Sequence, residues 1–194
     1  MQVYFDNAAT TQVCPQARSK MDEVTERLYG NPSSLHTMGM ESEAVLKRAR
    51  GQVAGLLGVP EECIYFTSGG TESNNTAIFG AVYRNARKRK TILTTSVEHP
   101  SVAAPFHVLR EQGFSLRTVP VTRDGVIDLK KLEEMADDQV AFVSIMRVNN
   151  ETGCIMPVNE AAEILRKKSP AALIHCDMVQ AFGKLPLPDV DLAS

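Results

Sequence analysis

The chain has 194 residues, 43% hydrophobic and 23% charged, enough to bury a core for one domain or one and a fraction, and too apolar for a disordered polymer. Its 21 basic and 23 acidic residues leave a net charge of −2, and the one basic run, residues 84–90 (RNARKRK), falls at a predicted helix end where cations suit the dipole, so a nucleic-acid partner is not expected. No apolar run reaches the ~18 residues of a membrane span, and the start MQVYFDNAATT lacks a signal peptide's basic and apolar regions, so the expectation is a cytoplasmic protein with no membrane partner.

In chain order, residues 1–14 read as an N-terminal arm, followed by a single large domain at 15–194. Apolar periodicity predicts helices over 15–29, 40–57, 72–88, 101–112, 129–136 and 159–168. In the third, Ile78 and Val82 with Ala77 and Ala81 form the stripe of a helix packed on a sheet. Short β-prone runs lie at 64–67, 91–96, 116–121, 140–145 and 173–177. The fourth, within VAFVSIM, is almost continuously apolar, as a strand covered on both faces should be. Strands separated by helices predict an α/β fold with a mostly parallel sheet flanked by helices. The final DVDLAS reads as the approach to another strand.

Four cysteines, Cys14, Cys63, Cys154 and Cys176, lack the C-x-x-C spacing of a zinc or redox site, so reduced thiols are expected and no metal is assigned. Cys63 and Cys176 sit in or beside β-prone runs and read as small buried hydrophobes.

The run FTSGGTESNN, residues 66–75, ends a β-prone stretch in two glycines and enters a helix. Such a turn points unpaired N–H groups and the positive end of a helix dipole at one spot, a natural anion site, with Thr71 and Ser73 as added hydroxyl donors. Gly-Gly-Thr lacks the spacing of a P-loop or a dinucleotide fingerprint, and alone it reads equally as a turn in which Thr71 caps the helix. Other polar clusters follow successive predicted strands: Glu98-His99-Pro100, Asn149-Asn150-Glu151-Thr152-Gly153, and Asp177-Met178-Val179-Gln180. Singly these are helix starts, turns and caps. Together they place an anion cradle, an imidazole, an amide and a carboxylate at the carboxyl ends of parallel strands, where the ligand crevice of an open α/β sheet lies. Pyridoxal phosphate chemistry needs that set: a cradle for the phosphate, a stacking partner for the ring, and a carboxylate that keeps the ring nitrogen protonated.

The motifs YFDNAATT, GNPSSLH, FTSGGTESNN, EHPS, VNNETG and HCDMVQ, in this order, closely resemble those of NifS/IscS-type cysteine desulfurases in the class V aminotransferase superfamily of fold-type I pyridoxal phosphate enzymes. The resemblance covers the whole chain. It implies the cofactor pyridoxal 5'-phosphate and a reaction that converts L-cysteine to L-alanine and an enzyme-bound persulfide, for iron–sulfur cluster or thiolation pathways. By position, Gly70 and Thr71 match the phosphate cradle. His99 matches the ring-stacking, proton-shuttling imidazole, Asn150 and Gln180 match groups that bond the cofactor's substituents, and Asp177 matches the partner of the pyridine nitrogen. Asn7, Ala8, Asn31 and His36 match segments lining the substrate side and the dimer interface. Met178-Val179 stand where the family usually has small residues.

The resemblance also implies a homodimer, a sulfur-accepting or scaffold protein as partner, a Schiff-base lysine in a Ser-x-His-Lys stretch soon after a segment like VDLAS, and a later sulfur-accepting cysteine. These 194 residues stop before either and are expected to be inactive alone. A selenocysteine lyase or a class V aminotransferase would share the same cofactor residues, and a non-catalytic fragment acting in dimerisation or partner binding is the alternative from another class.

Overall fold

The computed structural model describes every residue except residue 2 and residues 86–88, so the end of the helix predicted at 72–88 and the centre of the basic run at 84–90 lie outside the described residues. The described chain forms two compact units, Met1–Phe66 and Thr67–Ser194, whereas the sequence reading set off only residues 1–14 from the rest.

In the first unit a turn around Asp6, whose carbonyl accepts from the Ala9 and Thr10 amides at 3.2 and 3.3 Å, precedes helix α1 (Pro15–Arg27). Proline at the first helical position needs no hydrogen-bond partner there and has the right φ. Helix α2 (Thr37–Leu57) begins three residues before the predicted start because His36 caps it, its Nδ1 accepting from the Gly39 amide at 3.3 Å. Gly58 ends it in the left-handed conformation, φ 68°, which costs glycine little. A 3-10 turn, Glu61–Cys63, follows.

The strand expected at 64–67 does not form among the described residues. Ile64 is extended, but its carbonyl accepts from Arg50 Nε on α2 at 3.2 Å instead of joining a ladder, and the Arg50 guanidinium lies 5.6 Å from the Phe66 ring centre. Extended propensity without a pairing partner gives no strand. Cys63, expected to be buried, is exposed for the same reason, while Cys176 is buried as expected.

The second unit carries α3 (Gly70–Asn85), β1 (Thr91–Thr95), α4 (Pro100–Glu111), β2 (Ser115–Val119), α5 (Leu129–Met135), β3 (Val140–Ser144), α6 (Val158–Lys168), β4 (Leu173–Cys176) and β5 (Leu192–Ala193). All five strands pair in parallel in the order β2-β1-β3-β4-β5, so the α/β class and parallel sheet read from the sequence hold. The short β5 is the strand that DVDLAS approaches.

Strand alternation divides the core. Ile92 and Phe142 face one side with Ile78 and Val82 of α3 and Val102, Phe106 and Leu109 of α4. Leu93, Val143, Ile174 and Cys176 face the other with Leu132 of α5 and Val158, Ala161, Ala162 and Leu165 of α6. Burial of the Val, Leu, Ile and Phe side chains among them stabilises by about 1.5–3 kcal/mol each relative to exposure. His175, fully buried on the α3/α4 side, stacks on Phe142 at 6.0 Å between ring centres and bridges three strand ends, with Nδ1 2.8 Å from Ser144 Oγ and Nε2 2.9 Å from Ser194 Oγ. Burial lowers its pKa to about 3, so the ring is neutral and its two nitrogens divide donor and acceptor roles between the hydroxyls.

The edge strand β5 is held by one aspartate. Asp191 takes a bidentate contact from Arg166 of α6 at 2.9 and 3.0 Å, and its Oδ2 also accepts from the Ile174 amide at 2.8 Å. Asp191→Ala leaves that amide without its acceptor, a loss of about 1–3 kcal/mol. The expected outcome is a lower urea midpoint, with faster amide exchange at Ile174 and Ser194 before the rest of the sheet. Unchanged exchange at both amides would contradict the assignment.

Candidate functional site

The strand order runs outward from β1 in one direction to β2 and from β3 in the other to β4 and β5, so the chain reverses direction across the sheet between β1 and β3. At such a point the following loops diverge and leave a crevice beyond the carboxyl ends. His99 follows β1, Asn149 and Asn150 follow β3, and Asp177 follows β4.

Helix α3 reaches this crevice with its N-terminus. It starts at Gly70, two residues before the predicted start, and the Ser73 amide makes the first helical bond to the Gly69 carbonyl at 3.1 Å. The amides of the first turn have no carbonyl four residues back to bond. Glu72 bends back to accept from both the amide and the hydroxyl of Ser68 at 2.6 Å, which holds its carboxyl below the usual carboxylate range and ties the turn. A β-carbon at Gly70 would lie 2.6 Å from Val179 Cγ2, so the glycine turn and the Asp177–Gln180 loop are packed together and a larger residue at 70 would have to displace the Val179 side chain. Thr71 is exposed and lies inside the first turn, one residue after the helix starts; its carbonyl accepts from Asn75 Nδ2 at 2.8 Å.

The two asparagines that close the FTSGGTESNN run both reach Ser101 at the start of α4. Asn74 Nδ2 lies 2.9 Å from Ser101 Oγ, and Asn75 Nδ2 lies 3.3 Å from the Ser101 carbonyl. That carbonyl is available because residue 105, which would normally donate to it, is proline.

Asp177 is buried, and both its oxygens accept hydrogen bonds: Oδ2 from Asn74 Nδ2 at 2.9 Å and Oδ1 from the Val179 amide at 3.0 Å. His99 caps α4, its Nδ1 accepting from the Ser101 amide at 3.1 Å and lying 2.7 Å from Ser101 Oγ, while the residue remains exposed. Met178, one of the two bulky departures from the family pattern, is absorbed into the core beneath the loop, and Val179, half exposed, is the residue against Gly70. Gln180 is half-buried, with its carbonyl accepting from Lys184 Nζ at 3.1 Å.

Asn150 is half-buried on a turn built by its neighbour. Asn149 Oδ1 accepts from the Glu151 and Thr152 amides and the Thr152 hydroxyl at 2.9–3.0 Å, and its Nδ2 donates to the Val97 carbonyl at 3.0 Å. The Asn-Asn pair therefore splits its labour, the first residue forming the turn and the second standing on it.

Glu98 joins the same strand ends from below. Its Oε1 accepts from Thr95 Oγ1 at 2.7 Å and from the Met146 amide at 2.9 Å, while Oε2 is buried without a hydrogen-bond partner. Burial raises its pKa to about 8, the Thr95 and Met146 donors oppose that rise, and the negative charge of Asp177 adds to it. Burial likewise pushes the Cys176 thiol up, with Glu98 and Asp177 adding to the effect, so Cys176 is no ready nucleophile.

Gly70, His99, Asp177 and their loops thus meet in the second unit. Asn7, Ala8, Asn31 and His36 belong to the first. Asn7 and Ala8 lie in the turn after Asp6, Asn31 Oδ1 accepts from the Ser33 amide at 2.9 Å, and His36 is the cap of α2. Among the described residues no group of three His, Cys, Asp or Glu side chains could hold a metal ion. The sequence reading gave no role to Asn74 or Ser101, and it named Glu98 and Asn149 only as members of their polar clusters. Asn74 had a signal, since it lies four residues before Ile78 and eight before Val82 and so is a polar residue on the buried stripe.

The family model described as Aminotransferase class-V matches residues 3–192. A NifS/IcsS protein homolog of Lactobacillus delbrueckii subsp. bulgaricus is 47% identical over 182 residues, covering 94% of this chain and 47% of the relative. A mitosomal cysteine desulfurase of Trachipleistophora hominis is 43% identical over 199 residues, covering 99% of this chain and 45% of the relative. Among solved structures, a NifS-like protein superposes with a TM-score of 0.96 at 40% identity, covering 100% of this chain and 54% of that one. SspA in complex with cysteine superposes with a TM-score of 0.92 at 29% identity, covering 98% and 56%. The chain spans about half the length of the curated relatives it matches.

The state of Glu98 makes a pH prediction. Between its ordinary value of 4.5 and about 8 the folded chain keeps a proton that the unfolded chain has lost, so its contribution to stability is full below that window and falls as pH rises through it, by at most about 1.4 kcal/mol per pH unit. Glu98→Gln retains the Oε1 acceptor without the titration. Urea midpoints measured from about pH 5 to about pH 8 should decline less in the variant than in the parent. Parallel declines would show that Glu98 is not buried as a neutral acid.

Proposed function

The chain belongs to the class-V aminotransferase family, and from that membership we propose that it supplies the cofactor-holding part of a pyridoxal phosphate-dependent cysteine desulfurase. The reaction would take sulfur from L-cysteine, leave L-alanine, and pass the sulfur on as an enzyme-bound persulfide. The observation that carries this reading is the buried Asp177 carboxylate, hydrogen-bonded through Asn74 to the Ser101 that also holds His99, with the Gly70 turn packed on its loop. Relatives named cysteine desulfurase at 43% identity and the similarity to SspA, solved in complex with cysteine, support the choice of substrate.

The residues present fit the cofactor. When bound, pyridoxal phosphate supplies an electron sink for charge that develops at the α-carbon of an amino acid. The first-turn amides of α3, with the Thr71 hydroxyl, suit a phosphate at the positive end of a helix dipole. Asp177 uses two of about four lone-pair sites on its oxygens, which leaves capacity for a protonated ring nitrogen. His99, exposed at the start of α4, offers a flat face for stacking and a ring nitrogen for proton transfer. Asn150 and Gln180 offer amides to ring substituents. The reading assigns the Schiff-base lysine and the sulfur-accepting cysteine to residues outside these 194, since none of the four cysteines here matches the acceptor position.

The same reading makes the complete enzyme a homodimer that delivers sulfur to an acceptor or scaffold protein in the cytoplasm. Exposed apolar side chains of the first unit, including Phe5, Leu35, Leu56 and Tyr65, support burial against a partner, and four free thiols fit a reducing compartment.

Two measurements test the proposal. Pyridoxal phosphate added to the chain should raise its melting temperature, and Gly70→Val, which wedges a side chain against Val179, should weaken binding at least about tenfold, or roughly 1.4 kcal/mol. A preparation of these 194 residues alone should release neither alanine nor sulfide from L-cysteine. Release by such a preparation would overturn the assignment of the lysine elsewhere, whereas amino transfer to a keto acid, or a preference for selenocysteine, by the complete enzyme would move the reading to an aminotransferase or a lyase.

A further inference from the structure

We propose that Asn74 and Ser101 are positioning residues that fix His99 in the tautomer carrying its proton on Nε2, so that the imidazole acts on its surroundings through Nε2–H. The four residues form one hydrogen-bonded chain: Asp177 Oδ2 to Asn74 Nδ2 at 2.9 Å, Asn74 Nδ2 to Ser101 Oγ at 2.9 Å, and Ser101 Oγ to His99 Nδ1 at 2.7 Å.

The direction of the chain is set at its carboxylate end. A carboxylate only accepts, so Asn74 must turn its nitrogen toward Asp177, and a primary amide has two N–H groups to give. The second goes to Ser101 Oγ. Having accepted there, the serine directs its own proton to His99 Nδ1, which also receives the Ser101 backbone amide at 3.1 Å. A ring nitrogen that accepts from two donors carries no proton, and the proton of the neutral ring is therefore on Nε2.

The other atom of the amide accords with this polarity. Asn74 is fully buried, and its Oδ1 has no hydrogen-bond partner. Leaving a buried amide oxygen unpaired is costly, and the structure accepts it because both amide protons are committed. Reversing the amide would place Oδ1 against Asp177 and deprive the carboxylate of its donor. At Nδ1 the Ser101 hydroxyl, at 2.7 Å, is the nearer of the two donors, the backbone amide standing at 3.1 Å, and it is the hydroxyl that links the ring through Asn74 to Asp177.

The inference rests on the cofactor reading only for what Nε2–H would act upon; the chain of bonds belongs to the polypeptide. The test is nitrogen NMR of the 194-residue chain, labelled at its histidine ring nitrogens and free of cofactor, with the His99 signals identified by their loss in His99→Asn. His99 should show an acceptor-type shift at Nδ1 and a protonated-type shift at Nε2. In Ser101→Ala and in Asn74→Ala the two shifts should move toward each other as the tautomers mix, while the His175 signals stay in place.

A dispersed amide spectrum verifies folding of each variant, and Ser101→Ala, which removes one oxygen, decides the matter if Asn74→Ala does not fold. The proposal is overturned if the parent ring is already averaged or protonated on Nδ1, or if either folded variant keeps the parent pattern. Failure to bind pyridoxal phosphate would leave these spectra unchanged and would strike only the cofactor reading.

Discussion

A carboxylate can accept hydrogen bonds and cannot give one, and at the end of β4 that restriction organises the polar half of the second unit. Asp177 lies buried where water cannot serve it, so its donors must come from the protein. One is the Val179 amide of its own loop, and the other is Asn74, from a helix more than a hundred residues earlier in the chain. Meeting that demand brings α3 across the ends of β3 and β4. Its N-terminus then comes to rest against the loop that Asp177 begins, with Gly70 packed on the Val179 side chain.

Around this point the sheet ends hold ionisable groups in their neutral forms. Glu98 ties the end of β1 to the segment after β3, and His175 ties β3 to β4 and to Ser194 after β5. Both are raised or lowered toward neutrality by burial. The strand ends are therefore joined by side chains as well as by ladder bonds. Groups that carry little charge can be close-packed below a carboxylate without competing for its donors.

Much of this architecture could be read from the sequence because it follows from local chemistry. The nearly continuous apolar run at 140–144 is what a doubly covered parallel strand requires, the β-branched residues of 91–95 favour a strand beside it, and polar clusters soon after both locate the crevice. Failure fell where a pairing partner, a cap or a distant contact decides what residue preference alone does not. Residues 64–67 have β-prone side chains, yet a strand exists only where another strand pairs with it, and Arg50 takes the Ile64 carbonyl instead. The start of α2 was placed late because His36 was considered for chemistry and not as a cap. The relay through Asn74 was hidden because its polarity depends on Asp177, and sequence proximity carries no information about a contact spanning 103 positions.

Pro105 has a wider bearing than the local shape of α4. By withholding an amide it leaves the Ser101 carbonyl to Asn75, so a residue inside one helix determines what a side chain on another can hold. A backbone amide at 105 would compete with Asn75 for that carbonyl, whereas a shorter or apolar residue at 75 would strand the carbonyl beside a proline. The two positions should consequently vary together among related chains: asparagine at 75 accompanied by proline at 105, and freedom at 75 wherever an ordinary helix former stands at 105. Helix-breaking chemistry would then serve as a form of molecular bookmark, recording which neighbour the first turn of α4 is meant to meet.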